Sequence, residues 1–181
     1  MKQKDLSNYR KSYEKSELME SSVLDNPLEQ FKKWFDEVES SGGVDEPNAM
    51  TVSTIGLDGF PQNRVVLMKK MTDKGFVFYT NYESEKGEAI KNTPSICLSF
   101  FWPNLERQVI IKGSAEKLAK NLSDDYFKSR PFKSQLGALV SEQSKVIASR
   151  TVLENRLIAL EKEYEEKEII RPVHWLSLIH I

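Results

Sequence analysis

The chain has 181 residues, 39% hydrophobic and 10% aromatic, which suits one domain with an ordinary core or a subunit whose core a partner completes. With 26 Lys+Arg against 27 Asp+Glu the net charge is −1 and the pI about 6.2, so no global field draws the protein to nucleic acid or an anionic membrane, and any anion site must be local. The single cysteine, Cys97, excludes an internal disulfide and Cys-rich metal frameworks; with a polar N-terminus and no run of membrane-spanning length, it makes the cytoplasm the expected location.

Residues 1–25 are charged and weakly patterned and are expected to form an N-terminal arm, with a short helix at "YRKSYEKSEL". From Pro27 to about Glu39, Leu28, Phe31, Trp34, Phe35 and Val38 recur at helical spacing, with Asn26 as N-cap and Pro27 in the first helical position. A three-strand antiparallel meander follows, its turns marked by Asp58-Gly59 and by "TDKG" ending at Gly75. The polar stretch Glu83 to Asn92 predicts a short helix capped by Ser84. "SICLSFFW" and "RQVIIKGSAEKL" then form a hairpin across "PNLE", bringing the expected strands to five. The remainder reads as helical: "NLSDDYFKSRP", "KSQLGALV", and a longer helix to about Tyr164, opened by a capping box of Thr151 and Glu154. The architecture expected is α+β, a small antiparallel sheet curled into a barrel to manage its edges.

No G-x-G-x-x-G follows a strand and no P-loop is present. With only His174 and His180, a histidine metal cluster or a Ser-His-Asp triad is not expected, no metal is assigned, and the chemistry must come from elsewhere, as from a cofactor. Three features bear on anions. "RVVLMKK" sets cations in an apolar strand, where regular alternation puts Arg64 and Lys70 on one face and Lys69 on the other. Tyr126, Arg130 and Ser134 recur every four residues, the composition of a phosphate clamp, although Pro131 interrupts the helix. Tyr79 and Thr80 end a strand just before Ser84 and Lys86 at a helix N-terminus. Taken singly, each is also the pattern of an exposed polar face.

In this order, "NRVVLMK", "FVFYTNYES", "LERQV", "YFKSRPFKSQLGA" and "SEQSKVIASR" resemble the pyridoxamine 5′-phosphate oxidases, from about Tyr9 to Trp175. The resemblance implies an FMN-binding split β-barrel, antiparallel and Greek-key-like, with flanking helices, and a homodimer holding FMN at its interface. It implies FMN contacts at Arg64, Val65, Val66, Leu67, Met68, Lys69, Tyr79, Thr80, Lys86, Gln108, Gln143 and Ser144. Substrate contacts fall at Lys69, Tyr126, Arg130 and Ser134, with Arg10 and Tyr13 of the arm closing the site. The activity implied is oxidation of pyridoxamine or pyridoxine 5′-phosphate by O2 to pyridoxal 5′-phosphate with H2O2. The flavin carries the chemistry and no side chain is assigned as catalytic.

Two departures stand out. The family commonly reads "SRK" where this chain has "SEK", so Glu85 replaces an arginine that would meet the FMN phosphate, and it is expected to point outward. After "RPVHW" the family continues into further strands, whereas this chain reads "LSLIHI". The split-barrel domain is therefore expected to span 26–175 with its C-terminal strands missing, residues 176–181 to be a non-native tail, and an unpaired sheet edge to remain. Competing readings are a non-catalytic FMN or pyridoxal phosphate binder and a flavin reductase of the same fold. A nucleic-acid-binding small barrel would need a basic-aromatic face that the sequence lacks.

Overall fold

The computed structural model describes residues 4–180, with side chains through Trp175. The chain forms two units, residues 4–47 with 101–109, and residues 48–100 with 110–180.

In the first unit, α1 (Pro27–Ser41) starts as its sequence dictates: Asn26 accepts from the Leu28 and Glu29 amides, and Pro27 takes the first position, where no amide is needed. Its apolar face buries Phe31 and Val38, and the Phe31 and Phe35 rings pack against Trp102 at 5.8 and 6.2 Å. The Trp102 indole N–H donates to the Pro47 carbonyl at 2.9 Å, so this large ring is buried with its polar atom satisfied. The arm docks on Glu106, a non-glycine residue at φ 53°. Its carboxylate accepts from the Glu14 and Lys15 amides at 2.9 and 3.2 Å and pairs with Lys11 at 2.5 Å.

The second unit is built around a closed barrel. The strands are β1 (Ala49–Ile55), β2 (Pro61–Thr72), β3 (Gly75–Asn81), β4 (Ser95–Trp102), β5 (Arg107–Lys117) and β6 (Trp175–His180), in the order β1-β2-β3-β6-β5-β4. Both meander turns form where glycine permits positive φ, at Gly59 (84°) and Gly75 (138°). Met50, Val52, Phe78, Leu98 and Phe100 fill the interior. Helix α2 (Glu85–Asn92) follows β3, and α3 (Lys120–Ser129), α4 (Phe132–Val140) and α5 (Arg150–Glu163) follow β5. Phe127, Leu136 and Ile169 are buried together, with Leu157, Leu160, Tyr164 and Trp175 packed on them. No helix among the described residues is long and apolar enough to cross a membrane.

Four local expectations are corrected. Residues 9–18, expected to form a short helix, are irregular, and the first helical turn of the arm is Glu20–Ser22. β2 is not regular: Met68 pairs with Phe78 and Lys70 with Val77, so Lys69 is an extra residue at a bulge. The bulge resets the alternation, and Lys70 no longer follows the face of Arg64. Thr151 does not open α5; the helix starts at Arg150 after Ser149, and Glu154 is engaged by Arg150 Nε at 2.8 Å, which leaves no capping box. The edge expected to stay open is paired. β6 joins β3 from Asn81↔Trp175 to Phe76↔His180 and β5 from Lys117↔Leu178 to Ala115↔His180. The run after His174 is apolar and β-compatible, and its main chain satisfies both neighbouring edges. Of the expected tail, residues 176–180 form this strand, and Ile181 lies outside the described residues.

Candidate active site

The end of β3 and the start of α2 form one wall of a cavity of about 460 Å³, within the range of small-molecule sites. The turn between them is tightly held. Ser84 Oγ donates to the Asn81 carbonyl at 2.6 Å and accepts from the Gly87 amide at 3.2 Å, while Asn81 Oδ1 accepts from the Glu83 amide at 2.8 Å. This fold of the chain sends Lys86 inward, 8% exposed, where its ammonium donates to Thr80 Oγ1. Lost solvation, and then the charge of Arg64, pull the Lys86 ammonium down to about 8. No carboxylate pairs with Lys86 among the described residues.

Arg64, Val65 and Val66 of β2 form a second wall. Beside this wall Glu85 Oε2 accepts from Arg64 Nη2 at 2.9 Å and its Oε1 from Gln62 Nε2 at 2.7 Å. Glu85 therefore stays exposed at the rim and outside the cavity lining, as an outward residue would, but its carboxylate is held by Arg64 and not left to solvent.

The third wall is the junction of α3 and α4. Arg130 ends α3 in extended conformation and Pro131 opens α4, so the clamp is not one continuous helix; Ser134 instead lies in the first turn of α4. Arg130 and Ser134 both line the cavity. Arg130 lies over the Trp175 ring at 4.5 Å, and its Nη1 is buried without a hydrogen-bond partner. Tyr79 stacks on Tyr126 at 3.6 Å and on Trp175 at 5.4 Å, making an aromatic stack beside the guanidinium. Burial raises the Tyr126 hydroxyl above its ordinary range. Arg171 supports this corner, donating to Asp124 Oδ1 at 2.7 Å and to the Trp175 carbonyl at 2.6 Å.

Of the residues picked out in the sequence, the cavity gathers Arg64, Val65, Val66, Tyr79, Thr80, Lys86, Arg130, Ser134, Gln143 and Ser144, the last at φ 66°. Tyr126 stands behind it in the stack. It does not gather Leu67, Met68 or Lys69: Met68 is buried in the barrel, and Lys69 is exposed at the bulge. Gln108 lies in the first unit, on a separate cleft with Trp34 and Glu37, and Arg10 and Tyr13 are exposed residues of the arm. The cavity adds Asn81, Gly137, Ala138, Ser141 and Trp175, which sequence reasoning passed over. Of these, Trp175 had a usable signal in its place at the end of "RPVHW"; the others are small or polar residues with no pattern of their own.

The family model described as pyridoxamine 5′-phosphate oxidase matches residues 37–162. A pyridoxine/pyridoxamine 5′-phosphate oxidase of Flavobacterium psychrophilum is 65% identical over 172 residues, covering 95% of this chain and 80% of that protein. One of Flavobacterium johnsoniae is 63% identical over 171 residues, covering 94% and 80%. Among solved structures, PhzG from Burkholderia lata 383, in complex with tetrahydrophenazine-1-carboxylic acid, aligns with a TM-score of 0.82 at 22% identity, covering 88% of this chain and 78% of that one. A pyridoxamine 5′-phosphate oxidase-related, FMN-binding protein from Nostoc punctiforme aligns at 0.65 with 14% identity, covering 88% and 82%; these two structures share the fold. The extent of the family match and the identity to these relatives establish that the chain belongs to the pyridoxamine 5′-phosphate oxidase family, FMN-dependent oxidoreductases built on a split barrel.

Proposed function

We propose that this chain oxidises pyridoxamine 5′-phosphate or pyridoxine 5′-phosphate to pyridoxal 5′-phosphate, with FMN as cofactor and O2 as final acceptor, working in the cytoplasm as a homodimer with FMN at the interface. One observation carries the reading: a single cavity presents two separate cationic sets, each with an unmet demand. Lys86 is buried without a carboxylate, and Arg130 has a buried Nη1 without an acceptor. Buried cations are retained where something anionic completes them, and two phosphate-bearing ligands would complete both.

The residues present fit FMN. Lys86, Thr80 and Arg64 would take its phosphate, with Val65, Val66, Tyr79, Gln143 and Ser144 along the rest of the molecule. Arg130 and Ser134 would hold the substrate phosphate, with Tyr126 beside them. Assignments of Leu67, Met68, Lys69 and Gln108 to FMN, and of Lys69, Arg10 and Tyr13 to substrate, rest on the family resemblance alone. When bound, FMN would supply the electron acceptor for oxidation at substrate C4′, with O2 reduced to H2O2; the amine substrate also consumes one water as ammonia leaves. The chain's own contribution is orientation and charge. The Arg130 fork fixes the phosphate end of the substrate, and the aromatic stack flanks its ring.

The test is to supply the purified chain with FMN, pyridoxamine 5′-phosphate and oxygen and to follow pyridoxal 5′-phosphate and peroxide. Equal yields of the two are expected. Flavin retained without product would make the chain a binder and not an oxidase.

A further inference from the structure

Glu85 and Lys86 are neighbours at the start of α2 with opposite fates. Lys86 turns into the cavity and reaches Thr80. Glu85 turns along the rim and spends both oxygens on β2, one on Arg64 Nη2 at 2.9 Å and one on Gln62 Nε2 at 2.7 Å. The chain therefore supplies a negative charge of its own to one of the two cations at this end of the cavity and leaves the other without one. Arg64 spends its remaining terminal nitrogen, Nη1, on the Asn63 carbonyl at 2.7 Å. A phosphate seated between Lys86 and Arg64 would meet a guanidinium with two of its five N–H groups already engaged, one of them by a carboxylate whose charge opposes its own. Arg64 and Glu85 are 47% and 46% exposed, so water competes for the pair and it can exchange.

We propose that Glu85 is a resident counter-anion competing with the ligand's phosphate for Arg64, and that it sets how strongly the cavity distinguishes a phosphorylated flavin from an unphosphorylated one. The proposal rests on the FMN reading above. A dianionic phosphate must displace or tolerate the carboxylate, whereas a flavin without phosphate meets no such competition. Glu85 thus lowers affinity for FMN selectively.

The test compares the full chain, Glu85→Gln and Glu85→Ala, each stripped of flavin and titrated with FMN and with riboflavin while flavin fluorescence is followed. Expected at low salt is a drop of about 3- to 10-fold in the FMN Kd of both variants, with riboflavin changed less than about twofold; the gain shrinks at high salt as charges are screened. An FMN Kd unchanged or raised in both variants would overturn the proposal and make Glu85 a residue that aims Arg64 at the ligand. Equal tightening toward riboflavin would overturn it too. Absence of FMN binding in all three proteins would instead sink the FMN reading, and this proposal with it.

Discussion

Burying Lys86 beside Arg64 has a consequence that titration can read. Its ammonium sits near 8 in the folded protein and near 10.5 when unfolded. Between those values the unfolded chain binds the extra proton, so the stability of the ligand-free protein should rise with pH across this window through Lys86. Lys86→Met should flatten that rise and stabilise the ligand-free protein by about 1–3 kcal/mol at neutral pH, because an unpaired buried charge is removed. A phosphate bound against Lys86 restores the charged form. Calorimetry at about pH 8.5 in buffers of different ionisation enthalpy should therefore report proton uptake on FMN binding, lost in Lys86→Met. Uptake of the same size in the variant would exclude Lys86 as the group. Arg64 was legible in the sequence as a cation in an apolar strand, Lys86 as one at a helix N-terminus and Arg130 by its four-residue spacing from Tyr126 and Ser134. The partner of Arg64 was not, since nothing local tells that α2 begins within reach of β2, and a first-turn carboxylate reads equally well as a solvated helix end.

At the scale of elements, the placing of α2 depends on Gly87. A Cβ there would lie 2.3 Å from the Tyr82 carbonyl oxygen and 2.6 Å from that of Asn81, both main-chain atoms of the turn that aims Lys86. Gly87→Ala should cost about 2–4 kcal/mol in denaturant unfolding and should weaken anion binding by displacing the helix. Gly137→Ala is the control: nothing lies within 4 Å of its added Cβ, so a stability change near zero, or a gain of up to about 1 kcal/mol from helix propensity, is expected. Elements whose signals are local were readable, as with Asn26 and Pro27 at α1, Ser84 at α2, and the glycines of both hairpins. Those fixed by distant partners were not. The bulge at Lys69 follows from register against β3, the cap of α5 moved because Arg150 claims Glu154, and β6 depends on two edges far away in sequence.

For the whole molecule, the apolar residues left in water around the β1–β2 hairpin matter most. Phe60 and Val65 are 69% and 72% exposed, and Ile55 and Leu57 are exposed as well. Val65 adjoins Arg64 on the cavity wall, so a second copy covering this face would also enclose bound flavin, as the proposed homodimer requires. Val65→Glu should shift the sedimentation profile toward monomer and weaken FMN binding together; monomeric wild-type protein with full FMN affinity would refute the shared site. The strand order has a kinetic consequence. β3 meets β2 across a short turn, yet its other neighbour is β6, so Asn81 and Trp175 must find each other across most of the intervening chain. Local helices form within microseconds, while so distant a pairing bears the loop-closure entropy first. After dilution from denaturant, far-ultraviolet ellipticity should recover ahead of that part of the tryptophan emission which Trp175→Phe removes, and the interval between them measures how long the barrel waits for its sixth stave.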